Sequence, residues 1–280
     1  MTDAILAVLE GIKHLILDTA KEGSWFTCGL ETFNETLYGF TSKIVTEVVK
    51  PVAYTILALF FVLELYRASV RTEGMGGGSN NLGAEVVFKV MFRMVICKIV
   101  VDHTDLILNA IFMVTTELTT KTSGILGNSP GGGYLGLDGL KAAIDALDFW
   151  SGLVCLLMCF IIYLISMIAV AIASVVVVTR FIELYVYVAI APIPLATLPS
   201  DEMSQIGKGF LKSFAAVSLQ GTLIFIVLGF FPYLIGGAFV KNNTTGDIFL
   251  SLLGVMGYSI ALILAVFSAG KWAKTICNAM

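Results

Sequence analysis

Residues 180–214 read RFIELYVYVAIAPIPLATLPSDEMSQIGKGFLKSF, and the fold turns on whether this stretch crosses a bilayer or turns back. Phe181 to Leu198 is apolar enough for hydrocarbon, yet it contains Pro192 and Pro194. Arg180 flanks it on one side, Lys208 and Lys212 on the other. Each proline lacks an N–H and pushes the residue before it out of helical geometry, so Ala191-Pro192-Ile193-Pro194 should break a helix. Broken backbone at membrane depth is tolerated only where protein or a water-filled cavity surrounds it. We therefore expect residues 181–198 to enter and return as a re-entrant segment at an inter-subunit or lumen surface. A sixth span with a proline kink is the alternative.

Composition sets the solvent. The 280 residues are 58% hydrophobic and only 13% charged, with a mean hydropathy of +0.93, far from the balance of a water-soluble domain. This is an all-α polytopic membrane protein by composition. The first apolar run, Ile5 to Leu17, is interrupted by Glu10, Lys13 and His14 and lacks the framing of a cleaved signal peptide. A net charge of −3 argues against a protein that coats nucleic acid with a basic stripe, so any contact with DNA is expected to be transient.

Apolar runs place five spans near residues 48–66, 86–110, 150–179, 214–240 and 248–270, each near the length needed to cross about 30 Å of hydrocarbon. Lys and Arg in short flanks favour the cytoplasmic side. Arg67, Arg71, Lys89 and Arg93 cluster between the first two spans, whereas the outer loops have few cations. The N-terminus is then outside and the C-terminus cytoplasmic. A full crossing by 181–198 would invert the last two spans and send Lys271 and Lys274 outward, which the charge rule disfavours.

Residues 1–44 read as an extracytoplasmic N-terminal segment preceding the transmembrane domain, 45–280. Ile5, Val8, Leu9, Ile12, Leu15 and Ile16 recur at helical steps, with Asp3, Glu10, Lys13 and Asp18 off that face, the pattern of an amphipathic helix. Trp25, Phe26, Phe33, Tyr38 and Phe40 follow as an aromatic layer, suited either to docking on a protein or to the headgroup level.

Charges inside a span are functional hypotheses by default. Lys98, Asp102, Asp105 and Asn109 fall on one helical stripe in the second span, with Lys98 and Asp102 at i, i+4. Three readings stand: an intersubunit polar zipper, the wall of a hydrated path, or a helix ending near Asp102-His103-Thr104-Asp105 at the outer headgroups. Arg180 and Glu183 at i, i+3 read as a pair anchoring the cytoplasmic shoulder, as do Glu64 and Arg67. Gly221, Gly229, Gly236 and Gly237, with Gly254 and Gly257 in the last span, permit close helix approach.

Chemistry-bearing motifs are few. The glycine-rich stretches at 74–83 and 127–139 follow no strand and carry no phosphate-binding lysine, so they read as loops. Cys28, Cys97, Cys155, Cys159 and Cys277 make no disulfide framework or metal pair; Cys155 and Cys159, one turn apart, read as small packing residues. His103 beside two aspartates has no second histidine nearby. With no catalytic constellation, metal or cofactor motif, a non-enzymatic role is expected.

Residues 180–221 resemble the TrbL-type polytopic subunit of bacterial type IV secretion and conjugation machines, in the version carried by Gram-positive mobile elements. Arg180, Glu183, the Ala191–Thr197 turn, Gly207, Gly209, Lys212 and Gln220 carry the likeness. From about residue 45 onward it extends to layout only, and residues 1–44 add little. The resemblance implies a membrane component forming a homo-oligomeric ring at the transfer channel, alongside energising ATPases and a coupling protein, touching DNA in transit. Lys208 and Lys212 are candidates for contact with partner or substrate, their other role being to mark orientation. Two further classes stand beside this one: an ion or small-solute transporter using the broken segment 181–198, for which only one broken helix is found where inverted repeats supply two, and a purely structural scaffold.

Overall fold

A computed structural model describes residues 28–74, 80–128, 148–200, 202–240 and 245–279, together with positions 3, 5, 7, 8, 10 and 11. In chain order the helices are α1 (Leu30–Phe33), α2 (Glu35–Ile44), a π-helical turn (Val45–Val49), α3 (Lys50–Gly74), α4 (Asn80–Asp102), α5 (Thr104–Asn128), α6 (Phe149–Ile190), α7 (Pro192–Leu195), α8 (Ser204–Val240) and α9 (Thr245–Ile276). No strand occurs among the described residues. The chain is an all-α polytopic membrane protein.

Four stretches are long and apolar enough to span a membrane: Glu35–Val70, Phe149–Ile190, Ser204–Ile235 and Ile248–Ile276. They contain or overlap the expected first, third, fourth and fifth spans. The expected second span, 86–110, falls across α4 and α5, which are not among the four. The reason is charge: Glu85, Lys89, Arg93, Lys98 and Asp102 are spread along α4.

Residues 181–198, expected as one re-entrant segment, do not form a separate element. Residues 181–190 are not separate but continue α6, which runs unbroken for 42 residues, ~63 Å at 1.5 Å per residue. Nothing from Phe149 to Ile190 lacks a backbone donor, so the ladder propagates until Pro192 removes one. Pro192 and Pro194 then occupy the first turn of α7, where an absent N–H costs nothing, and the Leu195 and Ala196 N–H groups bond Ala191 O and Pro192 O at 3.3 and 3.0 Å. The break thus lies at 191–203.

The chain divides into two compact units. The first comprises Met1–Cys28, Val114–Arg180 and Leu219–Ala273. Its core is built from stripes at three- and four-residue steps: Cys155, Cys159, Ile162, Ala169, Ala173 and Val177 on α6, and Ile248, Leu252, Val255, Leu262, Val266, Ala269 and Ala273 on α9. Many of these side chains are small, which lets helix backbones approach in the absence of a hydrophobic driving force between helices in lipid. Hydroxyl pairs tie the stripes together: Thr119 to Thr222 at 2.8 Å and Ser166 to Ser259 at 3.3 Å, with Thr222 donating to Thr115 O at 3.1 Å. At the N-terminus Ile5 is buried while Asp3 and Glu10 are exposed; Leu9, Ile12, Leu15 and Ile16 of the expected amphipathic helix lie outside the described residues.

The second unit comprises Gly29–Met113, Phe181–Ser218 and Lys274–Met280. Asn34 caps α2, accepting from Leu37 N at 2.9 Å. Here α3 and α4 form an antiparallel pair, and α7 packs into it, so that Ala53, Leu57, Met94, Cys97, Val101, Leu195 and Ala196 make one apolar core. Beside it the end of α6 folds back on the start of α8, with Tyr187 edge-on to Phe210 and Phe214. Phe33 stacks on Phe181 at 3.9 Å, and the Tyr185 hydroxyl donates to Leu30 O at 2.7 Å.

Candidate functional site

The site in the second unit begins at the π-helical turn. The Lys50 N–H bonds Val45 O, five residues back, so the turn contains one residue more than an α-helix would and re-aims the side chains that follow. Lys50 Nζ donates to Asp102 O at 3.0 Å and lies 3.6 Å from Asp105 Oδ2. The partners suit their positions. Asp102 O belongs to the last residue of α4, where backbone carbonyls attract cations, and Asp105 lies in the first turn of α5, where a carboxylate is favoured. The Tyr54 hydroxyl donates to Asp102 Oδ1. Asn109 Nδ2 reaches Glu31 Oε1 at 3.4 Å, and Tyr38 also engages Glu31.

Of the expected stripe, Asp102, Asp105 and Asn109 therefore join a polar network, but Lys98 does not. Lys98 is exposed and makes no ion pair among the described residues; the cation that meets the aspartates is Lys50. The helix is interrupted at His103 alone and resumes at Thr104. Its polar end is engaged by side chains of α3. Lys50 carries a weak sequence signal, a lysine just before Pro51 and an apolar run, which reads equally well as an interface marker.

A second charged cluster closes the other end of α3. Arg67 bridges Glu64 at 3.3 Å and Glu202 at 2.7 Å, linking α3 to the hinge at 191–203. The Glu64–Arg67 pair was expected and Glu202 was not, because 135 residues separate it from Arg67. Inside the hinge, Thr197 Oγ1 lies 2.8 Å from Pro194 O and 3.1 Å from Met203 O. Gly207 is required here: a Cβ would come 2.8 Å from Pro194 O and from the Leu198 side chain. Lys208 and Lys212 are exposed on the first turns of α8.

Arg180 and its neighbours belong to the first unit. Rather than anchoring a solvated shoulder, Arg180 is 4% exposed, and its guanidinium lies directly over Gly221: an added Cβ would fall 1.6 Å from Nη1. Next in sequence, the Gln220 amide lies 3.2 Å from where a Gly270 Cβ would be. Glu183 is partly buried in the second unit. Gly229 is buried, whereas Cβ atoms at Gly254 and Gly257 would meet nothing within 4 Å; close approach is thus a property of Gly221, not of the later pair. Cys155 and Cys159 are buried and free of any disulfide. Among the described residues no three His, Cys, Asp or Glu side chains converge as metal ligands.

No curated protein and no solved structure matches this chain. The model of the TrbL/VirB6 plasmid conjugal transfer-like family matches residues 26–192. That range begins in the N-terminal segment from which little likeness was expected and ends at Pro192, so Gly207, Gly209, Lys212 and Gln220 lie beyond it. It contains the polar network, the α3–α4 pair and the whole of α6. A match over more than half of an all-helical membrane chain places it: the protein belongs to the TrbL/VirB6 plasmid conjugal transfer-like family, and so is a component of a type IV secretion apparatus for conjugal transfer.

Proposed function

We propose that this transfer component is a non-enzymatic wall subunit, forming a homo-oligomeric ring at the translocation channel with its N-terminus outside and its C-terminus cytoplasmic, an odd number of crossings in which the charged α4–α5 stretch crosses beside the four apolar helices. In that role it works beside the energising ATPases and the coupling protein and touches DNA only in transit. The family match over 26–192 carries the reading. Two physical features support it. Opposite their small-residue stripes, α6 and α9 expose large apolar side chains such as Leu157, Phe160, Leu264 and Phe267, which need lipid or neighbouring copies. The net charge of −3 suits passage, since a wall gripping many phosphates would gain affinity with each contact and release its cargo slowly.

The hinge and the polar network supply the test. Pro192→Ala with Pro194→Ala, and separately Asp102→Ala, are introduced into the transfer system, and DNA transfer is scored beside recovery of the assembled complex. Transfer lost with assembly intact is the expected result. Loss of both supports a scaffold instead, and loss of neither removes both roles from these residues.

A further inference from the structure

Between α3 and α4 of the second unit runs an open apolar groove of about 360 Å³. Leu57, Phe61, Met91 and Met94 line it, and Tyr54 and Lys98 stand at one end. From Met91 to Lys98 the groove is ~10 Å long at helical rise. The charges around its polar end are matched except for one. Asp105 has Lys50, the Asp102 carboxylate has the Tyr54 hydroxyl, and Lys50 also holds the Asp102 carbonyl. Lys98, one turn from Asp102, makes no ion pair among the described residues and is exposed at the groove mouth.

We propose that this groove holds one acyl chain of an anionic phospholipid, with the headgroup phosphate on Lys98 Nζ. A slot with apolar walls and one unmatched cation at its end is complementary to an amphiphile with a negative head. A helix from a second copy is ~10–12 Å across with side chains, more than this volume admits over that length. Free phosphate leaves the apolar walls unused. The two methionines suit a chain of variable shape, being unbranched and easily repacked.

The test uses the full chain purified from nanodiscs of mixed phosphatidylglycerol and phosphatidylcholine, with retained lipid counted by native mass spectrometry. Wild type is expected to retain phosphatidylglycerol in preference. Lys98→Gln should lower that preference about fivefold, the worth of one lysine at an anionic surface, and Lys98→Arg should restore it. Ala58→Phe, which fills the groove from its wall, should lower retention of both lipids while the melting temperature of the Lys98 variants stays at the wild-type value. Equal retention by wild type and Lys98→Gln overturns the proposal. So does disulfide cross-linking between copies through Ala58→Cys, which would give the groove to a second subunit. The ring is not required for any of these outcomes.

Discussion

Gly221 is the residue on which burial of Arg180 depends. The guanidinium occupies the space a side chain would need, so Gly221→Ala should cost ~1–3 kcal/mol as an overpacked substitution, read as a lower melting temperature in detergent. Gly254→Ala and Gly257→Ala are the controls. Their surroundings are open, and alanine is the better helix former by up to ~1 kcal/mol, so both should be neutral or mildly stabilising. All three glycines look alike in the sequence, as small residues in apolar runs; which one has a neighbour depends on a side chain 41 positions away. The polar network is a residue-scale matter too. Lys50 and Asp105 are 3.6 Å apart, and the Asp105 side chain is 41% exposed, so a double-mutant cycle with Lys50→Met and Asp105→Ala should return a coupling of ~1 kcal/mol or less. A much larger coupling would mean that water does not reach the pair.

The hinge from Ala191 to Met203 is the element that gives the second unit its shape. Pro192 ends a helix that otherwise has no local reason to stop, and the turn that follows delivers Leu195 and Ala196 into the α3–α4 core. Leu195 is fully buried, and Leu195→Ala should destabilise by ~2–5 kcal/mol, the range for a leucine truncated in a packed interior. Protease resistance of the detergent-solubilised protein would report it. Near the end of the hinge, Glu202 ties the returning chain to Arg67. Glu202→Arg should loosen that attachment, measured as faster hydrogen exchange across 198–206, and the charge swap with Arg67→Glu should restore protection. If the swap does not restore it, packing alone holds the turn. Helix α6 shows how far an apolar run can be read: a span near 150–179 follows from hydropathy, but its continuation past Arg180 to Ile190 does not. A single buried arginine marks a span boundary only when water is near it, and here a neighbouring glycine makes room for it inside protein.

At the scale of the whole molecule, the membrane class and the family set the expectations. If the C-terminus is cytoplasmic, a cysteine introduced at Lys274, an exposed position, should react with a membrane-impermeant maleimide only after cells are permeabilised. Labelling of intact cells would reverse the orientation and, with it, the side of the membrane on which Lys208 and Lys212 lie. Hydropathy and the proline pair by themselves determined that the protein is helical and membrane-embedded, where four long apolar helices lie and where the longest of them breaks, because helix formation in lipid and helix arrest at proline depend on nearest neighbours along the chain. Only the tertiary structure decided that Lys50 rather than Lys98 meets the aspartates, that Arg180 lies over Gly221, and that Glu202 meets Arg67. Each of these pairings depends on distance through space, and side chains tens of residues apart leave no periodic trace of their meeting in the sequence.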